Sequence, residues 1–376
     1  MHTKKIYMKP HYIAMIVFIT YSSFAYGFEY VITGVVSETY DDNIMQSSTV
    51  REQDFITSVM LGLGVHHEGR NQTIDFMGNF RQSFYLQYQG LNESSENCNL
   101  TYINELSGSD RFQLNDIFTH YPEPQTFGYT LGGVPGRYAY VNNALTITYV
   151  KNFSGRLAVT PQYLYQINNY LNGELFDTTI HRPGVRADYS LTEAHIFSLL
   201  YDYTLIKFDT GTRTTAHSPG GMYHIYFTRV LHFSIRGGYD FNTIDDGSEF
   251  NEPYYEASLM RDFRDGSSFR FTYSKRTLIT MQNYDVLDSW RYEAELRKQI
   301  AGRVNAAFIV FYGRGRYLVQ NWAQKLLGTD AELGYEFREN IIGRMRYVYN
   351  RIEYQRVEGN EQFDRNRISL ELSARF

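Results

Sequence analysis

RNRISLELSARF, residues 365–376, alternates strictly between apolar and polar side chains. One side of this stretch carries Ile368, Leu370, Leu372, Ala374 and Phe376, and the other carries Arg367, Ser369, Glu371, Ser373 and Arg375. A period of two is that of a β-strand with one apolar and one polar face. The rest of the chain has to decide whether the apolar face meets lipid or a second protein layer.

The stretch ends on an aromatic residue, with Arg and Glu alternating on its polar face. In both respects it resembles the closing strand of bacterial outer-membrane β-barrels, in which a terminal Phe belongs to the assembly signal. The resemblance implies that Phe376 is an assembly signal and that the barrel assembly machinery and outer-membrane lipid are partners. The alternative is a C-terminal edge strand of a soluble β protein.

The N-terminus predicts export. Lys4, Lys5 and Lys9 precede an apolar run from Ile13 to Ile19, and small residues follow up to Gly27. This is the layout of a secretory signal peptide, here 1–27, and the run is too short to span a membrane as a helix. Its removal takes away three lysines and no acid, so the formal charge moves from −5 to −8. An acidic chain of this kind does not favour a nucleic-acid partner.

Composition indicates a β-barrel rather than a helical membrane protein. Aromatic residues make up 16% of the chain, with 34 Tyr and 26 Phe, while the mean hydropathy is only −0.42. A membrane barrel shows only alternate strand residues to lipid and needs aromatic girdles at both interfaces. Because Cys98 is the only cysteine in the sequence, no internal disulfide can stabilise the chain. No sustained helical period appears after Phe28, and residues 28–376 are expected to form one domain.

Segments of about ten alternating residues recur along the chain, the length of a tilted strand that crosses a bilayer. They predict an all-β, antiparallel, up-and-down transmembrane barrel of about eighteen strands, with sixteen possible. Short links are expected after the even strands, such as 190–194 and 262–268. Long polar links are expected after the odd strands, at 41–53, 89–99, 122–137, 168–180, 209–220, 243–252, 282–288, 321–328 and 356–364. Alternation is weakest in Phe76–Tyr85, Leu100–Leu106 and Phe112–Tyr121.

Charges on alternate positions of these strands cannot face lipid, where each Arg or Lys would cost about 2–4 kcal/mol near the midplane. They are therefore expected to line a lumen, which is aqueous in barrels of sixteen to eighteen strands. The predicted pore-lining residues are Arg236, Arg270, Arg291, Glu293, Glu295, Arg297, Arg303, Glu332, Glu336, Arg338, Arg344, Arg346, Arg367, Glu371 and Arg375. Arginine rings favour anionic solutes, but paired Arg and Glu equally brace a barrel wall without selecting anything.

The link 122–137 contains Gly128, Gly132, Gly133 and Gly136. We therefore advance the hypothesis that it folds inward as a constriction.

Catalytic and metal sites are not predicted. Asp209, His217 and Ser218 fall in a Thr/Gly/Pro-rich stretch, and proximity in sequence does not make a catalytic pair. His66 and His67 lack ligand spacing and a nearby Cys. The sequence thus predicts no enzyme activity, no cofactor and no metal.

The first strand and its link, VVSETYDDNIM (35–45), are followed by REQDFITSVMLGLGV (51–65). This pattern resembles the porins called β-barrel porin 2 and the outer-membrane barrels associated with exopolysaccharide and exosortase loci. The resemblance covers most of the mature chain and implies an outer-membrane pore or a structural part of an envelope polysaccharide export system. It supplies no catalytic residues.

The leading functional expectation is a conduit in polysaccharide export, possible partners being the polysaccharide and periplasmic export components. This rests on the resemblance alone. A general diffusion porin for small anionic or neutral solutes is the alternative, and a non-conducting structural or adhesion barrel is a third class.

Overall fold

In the computed structural model, residues 27–122, 131–132, 136–171, 175–280, 285–356 and 359–376 are described. They form eighteen β-strands and one three-residue 3₁₀ turn, Gln89–Leu91. The strands are β1 Phe28–Asp41, β2 Asp54–Glu68, β3 Gln72–Tyr85, β4 Glu93–Glu105, β5 Asp110–Tyr121, β6 Tyr140–Asn152, β7 Leu157–Tyr170, β8 Thr178–Thr192, β9 His195–Phe208, β10 Arg213–Thr228, β11 Leu231–Ile244, β12 Glu249–Asp262, β13 Ser268–Ile279, β14 Val286–Ala301, β15 Val304–Tyr317, β16 Ala323–Arg338, β17 Ile341–Arg356 and β18 Gly359–Arg375. The predicted signal peptide lies outside these residues except for Gly27, so it stays a prediction.

Each strand pairs antiparallel with the next, and β1 pairs with both β2 and β18. The sheet is therefore a closed ring without a free edge, and the prediction of an eighteen-stranded up-and-down barrel is confirmed. The three segments with weak alternation also belong to strands, namely β3, β4 and β5. Among the described residues, no helix has the length and apolar character needed to cross a membrane.

Several predicted long links are wrong in extent. Residues 213–220 belong to β10, 93–99 to β4, 323–328 to β16 and 359–364 to β18. Alternation of apolar and polar residues marks only the part of a strand that faces lipid, so the predicted strands were too short and the predicted links too long. Beyond that part, polar strand ends still find backbone partners in their neighbours, so the hydrogen-bonded ladder continues past the apolar belt. The two long links that remain join β1 to β2 and β5 to β6.

The outward face of the barrel is an apolar belt. Exposed large side chains alternate along the strands, as in Leu61 and Leu63 of β2 and Leu370 and Leu372 of β18. Aromatic rings contact one another across neighbouring strands of the belt. Such contacts join Tyr255 to Tyr273, Tyr273 to Tyr292, and Trp290 to Tyr312. A closed sheet with an apolar, aromatic exterior satisfies its backbone internally and can sit in hydrocarbon.

Three consecutive residues at the end of β1 and the start of its link hold the first and last strands together. Asp41, buried completely, accepts two hydrogen bonds from the Arg365 Nε at 3.0 and 2.9 Å. The Asp42 carboxylate accepts from the backbone and side-chain amides of Asn366 at 2.6 and 2.7 Å. The Asn43 amide donates to the carbonyl oxygen of Asp364 at 3.0 Å. We call Asp41–Asn43 with Asp364–Asn366 the closure clamp.

We expect Asp41→Ala to lower the stability of the barrel by about 3–5 kcal/mol, because it leaves the buried Arg365 guanidinium without its carboxylate. The measurement is the urea concentration at which the refolded protein loses its compact, heat-modifiable form in electrophoresis.

Glu295→Ala is the matched control. It also removes one carboxylate from an Arg–Glu pair, but its partner Arg297 has 68% of its side chain exposed. An exposed pair of this kind contributes at most about 1 kcal/mol. Equal effects of the two substitutions would show that the clamp does not stabilise closure.

Candidate functional site in the barrel interior

The inward face carries the polar and charged side chains. Arg291, Glu293 and Glu295 of β14 alternate with the outward Tyr292 and Leu296, both of which are exposed. The same register holds in β17 and β18, where Arg344 and Glu371 face inward and lie 2.7 Å apart. The barrel interior is therefore a polar space enclosed by the wall.

The structure places most predicted pore-lining residues on this inward face. Those on the inward register of a strand are Arg236, Arg270, Arg291, Glu293, Glu295, Arg297, Glu332, Glu336, Arg344, Arg346, Arg367 and Glu371. Arg303 lies in the two-residue link between β14 and β15, while Arg338 and Arg375 end their strands at a rim. Their role in lining a conducting path stays a prediction.

Many of these residues neutralise one another on the wall. Arg291 pairs with Glu293 at 2.5 Å, and Arg297 pairs with Glu295 at the same distance. Arg346 holds Asp330 with Nε and Nη2 at 2.8 and 2.5 Å. For the β14 residues, the structure therefore favours the expectation that paired charges brace the wall over the expectation that they select a solute.

A chamber of about 350 Å³ lies inside the barrel against β1–β5, β17 and β18. Four arginines border it, and they come from β3, β17 and β18: Arg81, Arg346, Arg365 and Arg367. Of these four, the sequence predicted only Arg346 and Arg367 as pore-lining residues. Arg81 was missed because alternation in β3 is weak, although Arg81 itself follows Phe80 in the right register.

The carboxylates that border the chamber already have cationic or histidine partners. Asp41 is held by Arg365 and Glu93 by Arg137, while Glu96, whose side chain is on the outward register of β4, pairs with His120. Arg81, in contrast, donates to the Met60 sulfur at 3.9 Å. Four arginines border the chamber, of which Arg365 is the partner of Asp41 and Arg346 that of Asp330. Guanidinium groups still outnumber carboxylates at its wall, so its interior favours negative charge.

Described residues of the β5–β6 link contact two sides of the barrel interior. Leu131 packs against the inner wall of β14–β17, and the backbone N–H of Gly132 donates to the Gln324 side chain at 2.7 Å. Further along, Arg137 binds Glu93 and donates to the Tyr85 hydroxyl at 2.9 Å, on the wall of β3 and β4. This part of the link therefore lies inside the barrel. Gly128 and Gly133, the other glycines of the constriction hypothesis, lie outside the described residues.

The inner wall is shaped to receive the tip of this link. An apolar cluster surrounds Leu131 there, formed by Leu287, Phe311, Tyr317, Trp322, Leu326, Ile352, Tyr354 and Phe363. Gly313 of β15 leaves the necessary room, because a Cβ there would lie 2.9 Å from the Trp290 carbonyl oxygen and 3.1 Å from Leu131. Gly132 has φ +82°, a conformation that L side chains rarely adopt. The cluster was not predicted, since aromatic residues were assigned to the outward girdles.

The β1–β2 link also turns inward. Ile44 and Gln46 are buried, and Gln46 lies beside Asn350 and Phe363 of the inner wall. Arg137 of the β5–β6 link approaches the Ile44 carbonyl oxygen at 3.5 Å. The two links thus contact each other inside the barrel, at the end where β1 and β5 finish, and they narrow this entrance.

The residues considered for catalysis or metal binding are not brought together. His217 and Ser218 lie on opposite faces of β10, where His217 contacts the Tyr201 hydroxyl at 2.8 Å and Ser218 donates to Asp240 at 2.6 Å. His66 pairs with Asp75 at 2.6 Å, while His67 stacks on Phe28. In the part of the chain that the structure describes, no group of three or more His, Cys, Asp or Glu residues is arranged to hold a metal ion.

A closed barrel with a lipid-facing aromatic belt and a charged interior defines the class of porin-like barrels of the bacterial outer membrane. A solved structure agrees on the fold. OpdO of Pseudomonas aeruginosa matches with a TM-score of 0.51 at 12% identity, over 93% of this chain and 98% of that one. The outer-membrane protein OpdK of the same organism and OccAB4 of Acinetobacter baumannii give TM-scores of 0.49 and 0.48 at 11% and 9% identity, each over 93% of this chain and 99% of the other. At such identities the likeness concerns the fold alone.

No protein-family model matches the sequence, and comparison with curated proteins gives no relative. The resemblance to β-barrel porin 2 and to exosortase-associated barrels is therefore not confirmed.

We expect Gln324→Leu to loosen the tip of the β5–β6 link, because it leaves the Gly132 N–H without its acceptor. An unsatisfied buried donor costs about 1–3 kcal/mol, which raises the opened fraction roughly 5- to 150-fold. The measurement is the rate of maleimide labelling of a cysteine at position 131, in a chain whose Cys98 is replaced by Ser.

Gln355→Leu serves as the control, since Gln355 lies on the neighbouring strand β17 at the same rim as Gln324 but on the opposite register of the wall. An unchanged labelling rate in Gln324→Leu would mean that the hydrogen bond does not hold the link inside.

Proposed function

We propose that this protein is an outer-membrane pore for small, negatively charged solutes, and that the arginine-lined chamber is their binding station. The single observation that carries the proposal is the chamber itself. It has the volume of a small solute, and four arginines from three strands border it, one of them, Arg365, paired with the Asp41 carboxylate.

Electrostatics supports an anion in this place. A cavity whose walls are protein and lipid focuses the field of the charges that line it, so the local concentration of anions rises. Guanidinium groups also bind carboxylate and phosphate oxygens in pairs of parallel hydrogen bonds. Arg81 of β3 and Arg367 of β18 are separated by β1 and β2 along the wall and border the same chamber, so one solute can approach both.

The inward links favour a small solute over a polymer. A polysaccharide conduit requires a wide axial path, whereas Leu131 and Arg137 here anchor one link to opposite walls. Polysaccharide export with its periplasmic components remains a prediction from the sequence, and the present geometry gives it no support. An enzyme is not proposed, because the candidate nucleophile and base face opposite sides of the wall.

The test is single-channel conductance of the refolded barrel in a planar bilayer with unequal salt on the two sides. We expect a conducting, anion-selective pore. Arg81→Ala is expected to shift the reversal potential toward cation selectivity, because it removes one positive charge from the chamber. Arg367→Ala is expected to act in the same direction.

Arg297→Ala is the matched control, since it removes the same charge from a residue that pairs with Glu295 and does not border the chamber. Equal shifts in all three variants would locate selectivity elsewhere than in the chamber. Absence of conductance would contradict the proposal and favour a structural barrel. Block by oligosaccharides rather than by small anions would favour the saccharide conduit.

A further inference from the structure

The barrel wall has a gap between β12 and β13 at the end with the long links. The ladder that joins these two strands stops at Tyr255 and Lys275, although both strands continue. Glu249–Tyr254 of β12 still pair with β11, and Arg276–Ile279 of β13 still pair with β14. We call the gap between these two segments the notch. The four residues on its β13 side make it roughly 13 Å deep, at about 3.3 Å per residue.

The notch opens where the end of β13 leaves the wall. Ile279 packs against an apolar cluster on the inner side of β8 and β9, formed by Ile180, Ile206 and Phe208. Around the ring those strands are at least four places from β13, so this contact is made across the interior. The next residue, Thr280, lies beside the inward β5–β6 link, with its Cγ2 3.7 Å from the position of a Cβ on Gly132. The end of β13 therefore lies inside the ring.

The closed end of the notch is fixed by Lys275. Its Nζ lies 3.3 Å from the Glu252 carboxylate of β12 and 3.2 Å from the Asp288 carboxylate of β14. One ammonium group thus ties three strands together and neutralises the carboxylates at this point. Beyond it, Pro253 has no backbone N–H to give to a ladder, and proline is confined to such strand edges. An anion that enters the notch therefore meets no unpaired carboxylate at its closed end.

The edge of the notch favours water over lipid. At the closed end, the outward Tyr255 contacts Tyr273 within the aromatic belt, which marks the membrane interface. Beyond Tyr255, the outward register of β12 carries Pro253, Asn251 and Glu249, all of them exposed. Backbone groups without a ladder partner can bind water at this depth, whereas hydrocarbon would leave them unsatisfied. The notch is therefore an aqueous opening in the wall, at and beyond the membrane surface.

We propose that the notch is the outer entrance through which small anions reach the interior, an inference that rests on the proposed pore function. The axial entrance at the same end is narrowed by three elements, namely the β1–β2 link, the β5–β6 link and the end of β13. The notch is an opening in the side of the wall, on the far side of the ring from the arginine-lined chamber. A solute that enters there crosses the interior to the arginines without passing between the two links.

The test attaches a polymer beside the notch. Asn251→Cys is made in a chain whose Cys98 is replaced by Ser, and a methanethiosulfonate-linked polyethylene glycol is coupled to it after refolding. Asn251 is exposed on the outward register of β12, at the edge of the notch. We expect the single-channel conductance in a planar bilayer to fall about twofold or more, because the polymer obstructs the entrance. Dithiothreitol, which cleaves the link to the polymer, is expected to restore it.

Lys207→Cys in the same Cys98→Ser chain is the matched control. Lys207 is also exposed on an outward register at this end of the barrel, but β9 is paired there with both of its neighbours. Because β9 ends at Phe208, a polymer at position 207 stands at the rim and would obstruct an axial entrance. We expect it to leave the conductance unchanged. A gel shift verifies coupling, and heat-modifiable mobility verifies that each variant has folded.

A reversible fall in conductance at position 251 but not at position 207 would support the proposal. Equal changes at both positions, or no change at either, would overturn it. Coupling at position 207 but not at position 251 would also overturn it, because an entrance has to be open to water. An anion-selective barrel that is indifferent to the polymer at position 251 contradicts the entrance alone. A barrel that does not conduct before coupling contradicts the proposed pore and its entrance together.

Discussion

Closure of the ring is the constraint on which the rest of the structure depends. Every backbone N–H and C=O of a sheet in hydrocarbon needs a partner, so the first and last strands must pair with each other. The closure clamp fixes that pairing at one end of the seam, where Asp41 binds Arg365 across 324 positions of the chain. Because a shift by one residue would turn every side chain to the other face, the clamp also secures which side chains face inward.

The inward register gives the interior two different regions. At the end where β1 and β5 finish, the interior is apolar: Leu131 sits in the wall cluster and the two inward links contact each other. Beside it lies the chamber with its arginines. The closure clamp belongs to both regions, since Asp41 and Arg365 border the chamber while Arg365 also lies beside Gln46 of the β1–β2 link. The same residues that close the barrel therefore shape its candidate binding site.

The outward register is equally uneven. Around most of the ring, exposed aromatic and aliphatic residues match a lipid environment, whereas the outward register of β4–β6 mixes apolar residues such as Leu114 and Phe118 with Asp116 and Asn143. The alternation that weakens in these strands is thus a property of the surface they form. Strand pairing there does not depend on the apolar pattern, because backbone partners on both sides hold β4 and β5 in register. Weak alternation of apolar and polar residues is therefore compatible with a β-strand, and it indicates that the outward face of that strand is not uniformly apolar.

The sequence by itself determined the class of fold, the strand number to within two and the side of each clear strand that faces lipid, because alternation with a period of two is a local property. It did not determine how far strands extend beyond the belt, since polar strand ends carry no apolar signal. Nor did it show that Asp41–Asn43 close the ring, that Arg81 joins Arg367 at one chamber, or that Leu131 crosses to the wall at Gly313. Those relations join residues far apart in the chain, and only closure of the barrel brings them into contact.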